Sequence, residues 1–509
     1  MRLLKVLEIT NSMEKNVFLR ILEGFSANEV DSLAAREIEG IISQGDGRLK
    51  NVDHENIVML FKLIREQYKS HLEEKLNFSD QQLDVFVDIL VKDGNAIMSR
   101  EWFAELYERE VGRLQQQIKS FAEQFPLDEN EFESDSRQRD YAIYRNCLKT
   151  AYENDLEHNR TAKVSWDERT ILNTLATCLA LSKHEIRCIN HNTTEPLKAV
   201  ELDTAIGILK DAGIIFFRRK TNTLYIPDEI VWVLREILGV QLANKYLRRI
   251  LGTLRPSEIN FIASRHNISR SLDRSEKEQE ILNQGLSVSD LLMSGMFKSG
   301  TLRATRATRL QELMEKELEL DVPRFGRSLE QKVETLMGYF NDLEKDETAM
   351  LTAHGYDKML AELHAYNEEI NNRIRDTFEL QAHDVMNNEI LTDYSIKPRD
   401  VLYLLSTSEL REFCRAQNIK ASGNLVENTI KNYRNIQDLY MENLELVGGR
   451  DLNGLHEKGL TVKESELGVL YEDLIKKGLI KLGLFVDEKL RKKLNTFCLQ
   501  MDAVINNGD

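Results

Sequence analysis

Along most of this chain apolar residues recur at intervals of three and four, the spacing of a single buried stripe on a helix. Val58-Met59-Leu60-Phe61-Lys62-Leu63-Ile64 and Leu83-Asp84-Val85-Phe86-Val87-Asp88-Ile89-Leu90 are two such runs, and residues 1–125 read as a succession of amphipathic helices packed in a bundle. The strand signal is clearest further on. Ile214-Ile215-Phe216-Phe217 and Thr223-Leu224-Tyr225-Ile226 predict two short strands around the charged turn Arg218-Arg219-Lys220-Thr221-Asn222. Helices are expected before them over 166–181, 183–189 and 200–212, the last with Leu202, Ala205, Ile206 and Leu209 inward and Gly213 at its end. Pro227 stops the second strand and opens a further helix over 228–238, because its fixed φ suits a first helical turn.

A second pattern lies in 402–434, LYLLSTSELREFCRAQNIKASGNLVENTIKNYR. It predicts two short helices joined by a tight corner. Leu405, Leu410, Phe413 and Cys414 fall on one helical face, and Ser406, Thr407 or Ser408 caps its start. Ile419 plugs the gap between the helices, Gly423 is free to take positive φ, Asn424 caps the second helix, and Val426 and Ile430 face inward. Laid on this stretch without gaps at an offset of 151 residues, 251–283 matches it closely: Ser257 on Ser408, Glu258 on Glu409, Ile259 on Leu410, Asn267 on Asn418, Ile268 on Ile419 and Glu276 on Glu427. The pattern therefore reads as a repeat, with Leu272 in place of the corner glycine in the first copy. A fainter echo at 309–337 reads helix, Val322-Pro323 plug, Gly326 corner, helix.

Composition fits a mainly α chain. Only 6 Pro and 25 Gly punctuate 509 residues, and with 42% hydrophobic and 30% charged residues several cores can be buried. The expected organisation is a multidomain helical protein. Its parts are a helical bundle at 1–125, an acidic linker and helix at 126–162, a three-helix and hairpin domain at 163–240 and a basic helical region at 241–345. A charged helical connector at 346–396, the helix–corner–helix unit at 397–436 and a C-terminal helical region at 437–509 complete it.

The net charge of −16 opposes generic nucleic-acid binding, so any such contact must come from local basic patches. One island stands out between Lys245 and Arg309, where twelve basic residues face six acidic ones. Its end, FKSGTLRATRATR from Phe297 to Arg309, carries no acid and is expected either to track phosphates or to form a solvated basic face that pairs with the acidic N-terminal region.

Two resemblances follow from these residues. The 402–434 stretch resembles the SAP motif, a helix–corner–helix unit that binds duplex DNA in its family, and more loosely the helical unit at the N-terminus of Rho-type termination factors. For this chain the resemblance implies phosphate contacts at the corner, Lys420 to Asn424, including Ser422 and Gly423, with Arg411, Arg415 and Lys431 beside it. By the repeat, Arg255, Arg265 and Arg270, followed by Arg303, Arg306 and Arg309, join the expected DNA-binding set. The 163–240 stretch resembles a winged helix, a helix-turn-helix variant with a small β-hairpin wing, which implies phosphate contacts from Arg218, Arg219 and Lys220 at the wing tip. Its third helix exposes Glu201, Asp203, Lys210 and Asp211, too acidic a face for a groove reader and better suited to protein docking.

Candidate chemistry is sparse. Asp93-Gly94-Asn95 begins like a calcium loop, but Met98 and Ala104 stand where an EF-hand needs Gly and Glu, so the stretch is expected to be a turn before a helix capped by Ser99. Cys178, His184, Cys188 and His191 have no zinc-finger spacing. No phosphate loop, nucleophile elbow, HExxH or CxxC motif is present, so the chain is expected to be no enzyme and to need no cofactor. Five scattered cysteines and the lack of a signal peptide or an apolar span of membrane length lead us to expect a cytoplasmic protein that does not enter membranes. The expected function is a duplex-DNA-binding subunit of a DNA-processing or anti-phage defence complex, beside a protein partner such as a nuclease, helicase or ATPase. The alternative is a protein–protein scaffold that binds no nucleic acid.

Overall fold

The computed structural model describes residues 1–25, 32–77, 83–126, 136–158, 164–194, 196–197, 200–346, 350–458, 460, 462–482, 485–486 and 505–506. These are mainly helical, with one small three-stranded sheet and one short two-stranded pair. Two compact units emerge. The first holds 1–341, 375–383 and 392–395; the second holds 342–374, 384–391 and 396–509. The stretch expected as a connector at 346–396 is thus divided between them.

In the first unit the hairpin forms as its sequence predicts, with β2 (Phe216–Arg218) and β3 (Thr223–Tyr225) antiparallel, Phe217 opposite Leu224. Another strand, β1 (Ile97–Ser99), completes the sheet in the order β1-β3-β2, with Met98 opposite Leu224. Three residues are too few for an alternation to be seen, and the partner lies far along the chain. On one side, Phe18 of helix Ser12–Gly24 meets Phe216 with ring centroids 5.1 Å apart and Phe61 at 5.9 Å. Tyr68, fully buried, donates its hydroxyl hydrogen to the Gly213 carbonyl at 2.9 Å.

The helices expected to lead into the hairpin pack elsewhere. Helices Trp166–Cys178 and Lys183–Thr193 join Ser136–His158 and the far end of Arg100–Gln124 around Phe121, Tyr141, Tyr144, Leu148, Leu172, Ala176, Cys188 and Ile189. Along the chain, the elements around the sheet are helix Asp84–Leu90, β1, helix Arg100–Gln124, and then, after the inserted pack, helix Leu202–Asp211, β2 and β3. The boundaries expected near 126 and 163 adjoin or fall on residues outside the described ones, 127–135 and 159–163.

The stretch after Lys92 is a buried junction. Ser99 caps helix Arg100–Gln124 by accepting from the Trp102 amide at 3.1 Å, as expected. Asp93 is taken up by Arg235 at 2.9 Å and by the Lys245 amide at 2.6 Å. Gly94 sits at φ +84°, and a Cβ there would meet the Phe378 carbonyl oxygen at 2.1 Å. Gly94→Ala should cost at least about 2 kcal/mol, since the left-handed conformation alone costs an L-residue about 1–2 kcal/mol. The check is a lower urea midpoint for the first unit.

In the second unit, a C-terminal core gathers Leu439, Val447, Leu455, Leu460, Leu467 and Leu474 beneath helix Glu464–Lys481, on the leucine spacing its sequence shows. The echo at 309–337 forms differently from its expected pattern. Val322 is only half-buried and Pro323 is exposed, while Leu318 and Leu320 fill the gap. Among the described residues no helix is long and apolar enough to cross a membrane.

Candidate nucleic-acid interface

Helix Thr407–Ala416 starts at a capping box in which Ser406 accepts from the Glu409 amide and Glu409 accepts from the Ser406 amide. Leu410, Phe413 and Cys414 turn inward. Asn418 takes φ +56° and ends the helix, and Ile419, buried, donates its amide to the Cys414 carbonyl at 2.7 Å. Gly423 follows at φ +73°, then Asn424 caps helix Leu425–Tyr433 by accepting from the Glu427 amide at 3.0 Å. The Asn428 side chain donates to the carbonyls of Lys420 and Ser422, both at 2.9 Å, and so fixes the corner. Leu425 lies in the core in the role expected of Val426, which is half-buried.

Outward from this frame stand Arg411, Arg415, Lys420, Ser422, Gly423 and Lys431, all exposed apart from the half-turn at the cap, where Asn424 is half-buried. Among the described residues the side chains of Arg411, Arg415, Lys420 and Lys431 have no hydrogen bond or ion pair. The neighbouring acids are held by other groups. Glu409 is gripped by Arg373 at 3.2 Å, Glu412 accepts from the Tyr366 hydroxyl at 3.2 Å, and Glu427 pairs with Arg399. Burial raises the Glu409 pKa, but hydrogen bonds from Ser406 and Arg373 outweigh it and hold the carboxyl below its usual value. Sequence alone places Glu409 and Glu412 against the basic residues. It gives no sign of Arg373, Arg399 and Tyr366, which come from other helices.

The first copy shares the helix starts and the left-handed helix end, but its corner differs, since Leu272, at the place of Gly423, does not take positive φ. Helix Pro256–Arg265 begins and ends 151 residues before Thr407–Ala416, and helix Arg274–Asn283 begins 151 before Leu425–Tyr433. Asn267 takes φ +55°, Ile268 is buried, and Asp273 caps the second helix where Asn424 does in the other copy. The outer surfaces differ. Where the second copy carries Arg411, Arg415, Lys420 and Lys431, the first carries Asn260, Ser264, Ser269 and Glu280.

The basic island around it is largely engaged. Arg255 pairs with Glu312 at 3.4 Å, Arg265 donates to Ser294 at 3.3 Å, and Arg270 to Ser264 at 3.4 Å. Arg274 donates to the carbonyls of Leu251, Gly252 and Leu254, closing the end of the preceding helix. The acid-free run at 297–309 meets its acids in space. Arg303 pairs with Glu330, and Arg309, only 7% exposed, is clamped between Glu258 and Glu317, each at 2.7 Å. Arg306 donates to the carbonyls of Thr301 and Met293, both at 3.0 Å. Arg309 is therefore no surface cation.

At the hairpin, Arg219 and Lys220 are exposed and Arg218 half-buried, with no ion pair among the described residues. Helix Leu202–Asp211 packs against helix Ser12–Gly24 and β2, and it exposes Glu201, Asp203, Thr204 and Asp211. Asp203 is paired with Arg100 at 2.9 Å.

No protein-family model, no curated protein and no solved structure matches this chain. The functional reading therefore rests on geometry. Among the described residues no group of three or more His, Cys, Asp or Glu side chains is placed to hold a metal; Cys188 lies 3.7 Å from His184, and Cys178 is exposed.

The first copy also leans on a titrating junction. Its His266 is pushed down to about 4, mainly by burial, with Glu185 pulling up and Arg137 and Arg265 pushing down. The ring Nδ1 has no hydrogen-bond partner among the described residues. Beside it Glu185, 3% exposed, takes the Arg137 fork and the Tyr141 hydroxyl at 2.5 Å. With the folded value below the unfolded one, stability is complete above about pH 6.5 and falls as pH drops toward 4, by up to about 3 kcal/mol. His266→Gln should flatten that part of a urea-midpoint-against-pH curve.

Proposed function

We propose that this chain is a non-enzymatic duplex-DNA-binding subunit that grips the phosphate backbone through the SAP-like unit at 407–433, working beside a protein that carries out chemistry on the DNA. One observation carries the reading: four exposed cations on a helix–corner–helix frame have no partner among the described residues, while Glu409, Glu412 and Glu427 beside them are each held by another residue. Phosphates reward cations that need not first leave an internal partner. Ser422, Gly423 and Asn424 lie at the bend, where exposed backbone amides suit a phosphate oxygen.

The order helix, strand, helix, helix, strand, strand around the sheet, with a pack of helices before the third, and the strand order β1-β3-β2 support the reading of a winged helix with a long insertion. In this reading Arg218, Arg219 and Lys220 at its wing tip supply a second phosphate contact. The acidic and partly covered helix Leu202–Asp211 favours a protein rather than a groove as what that helix meets. The chain is taken to act in a cytoplasmic DNA-processing or defence assembly, an analogy of architecture alone.

A gel-shift experiment tests this. A labelled duplex should be retarded by the protein at low salt, and an excess of the same duplex unlabelled should compete it away. The scaffold alternative requires that no duplex be retarded.

A further inference from the structure

We infer that Arg373 is a positioning residue of the phosphate-binding face, acting through Glu409 and touching no DNA; the inference rests on the DNA-binding reading above. Glu409 stands in the first turn of the helix that carries Arg411 and Arg415. Both nitrogens of the Arg373 fork reach its carboxylate, at 3.2 Å each, and one of them also donates to the Leu404 carbonyl at 3.1 Å, at the approach to the helix. Arg373 thereby cancels a negative charge that would otherwise face an incoming phosphate, and the Leu404 contact fixes the place from which it does so.

Tyr366 engages the neighbouring acid by a hydrogen bond that leaves its charge in place. Glu412 lies three residues before Arg415, a spacing at which helical side chains pair. Its carboxylate instead accepts the Tyr366 hydroxyl hydrogen, and Arg415 has no partner among the described residues. In the first copy the place of Glu409 is taken by Glu258, held by Arg309, while the surface beyond it carries no cations at the four equivalent positions. Charge cancellation in that copy serves packing, and in the second copy it serves the face.

The test measures duplex affinity across salt for four proteins. Arg373→Gln should weaken binding roughly three- to tenfold, the size of one uncancelled like charge near phosphates, without changing the slope of log affinity against log salt, because no phosphate contact is removed. The double variant R373Q/E409Q should return to the wild-type affinity. Glu409→Gln alone should bind more tightly than wild type, and Gln preserves the capping box. A loss in R373Q that E409Q does not rescue would mark a merely structural role and overturn the inference, as would unchanged affinity in R373Q or no gain in E409Q. The fourth protein, R411E/R415E/K420E, separates this from the reading beneath it: undiminished binding there sinks the DNA face itself, whatever Arg373 does.

Discussion

Reversing three charges, in R411E/R415E/K420E, should lower duplex affinity at least about a hundredfold and reduce the salt slope by roughly three, close to one unit for each phosphate that the protein no longer touches. The far-ultraviolet circular dichroism and the urea midpoint should stay where they are. These three side chains have no partner among the described residues, so the fold loses nothing when they change. The repeat supplies an internal control. N260E/S264E/S269E places acids at the equivalent positions of the first copy, whose surface is already without cations there. It should leave affinity within about twofold of wild type, the scatter expected for surface charge that touches no phosphate and that salt screens. The first variant lowers the net charge by six units and the control by three, so a control loss of about half the first in log affinity would mean that affinity follows the protein's overall charge and no particular face.

The second large effect concerns stability. Asp93 and Arg235 form an ion pair in which each side chain is only 8% exposed. Arg235 also donates to the Val91 carbonyl, and Asp93 accepts the Lys245 amide at the start of helix Asn244–Thr253. Asp93→Ala takes the carboxylate from a buried guanidinium and the acceptor from an amide, and should cost about 3–5 kcal/mol of the first unit's stability. The paired change D93A/R235M removes both charges and should recover most of it, because a buried ion pair is worth little more than a well-packed apolar pair of similar volume. Urea titrations of the three proteins, followed by tryptophan fluorescence, separate the two outcomes.

Much of the local structure is legible in the chain because it depends on neighbours in sequence. The Ser99 and Asn424 caps, the plug at Ile419, the hairpin over 216–225 and the leucine stripe of the last helix all follow from residues within a turn or two of each other. The match between 251–283 and 402–434 is readable for the same reason, since caps and plug positions recur at one offset. What the sequence hides is set at long range. β1 is three residues pairing with a distant strand, so the sheet and the insertion within it leave no periodic trace. The charge island shows the same limit: Arg309 looks like a surface cation until Glu258 and Glu317 are seen around it, and Glu412 stands at pairing distance from Arg415 in sequence until the Tyr366 hydroxyl is seen at its carboxylate. Side-chain pairing, and with it the sign of a surface, is decided in three dimensions.

The most direct measurement is fluorescence anisotropy of the wild-type protein against a labelled duplex over a range of salt concentrations. We expect binding at low salt that weakens steeply, with a log–log slope of about −3 to −6 for the four cations of the second copy and up to three at the wing tip. Absence of binding at low salt, or binding whose slope is near zero, would rule out a face that grips phosphates.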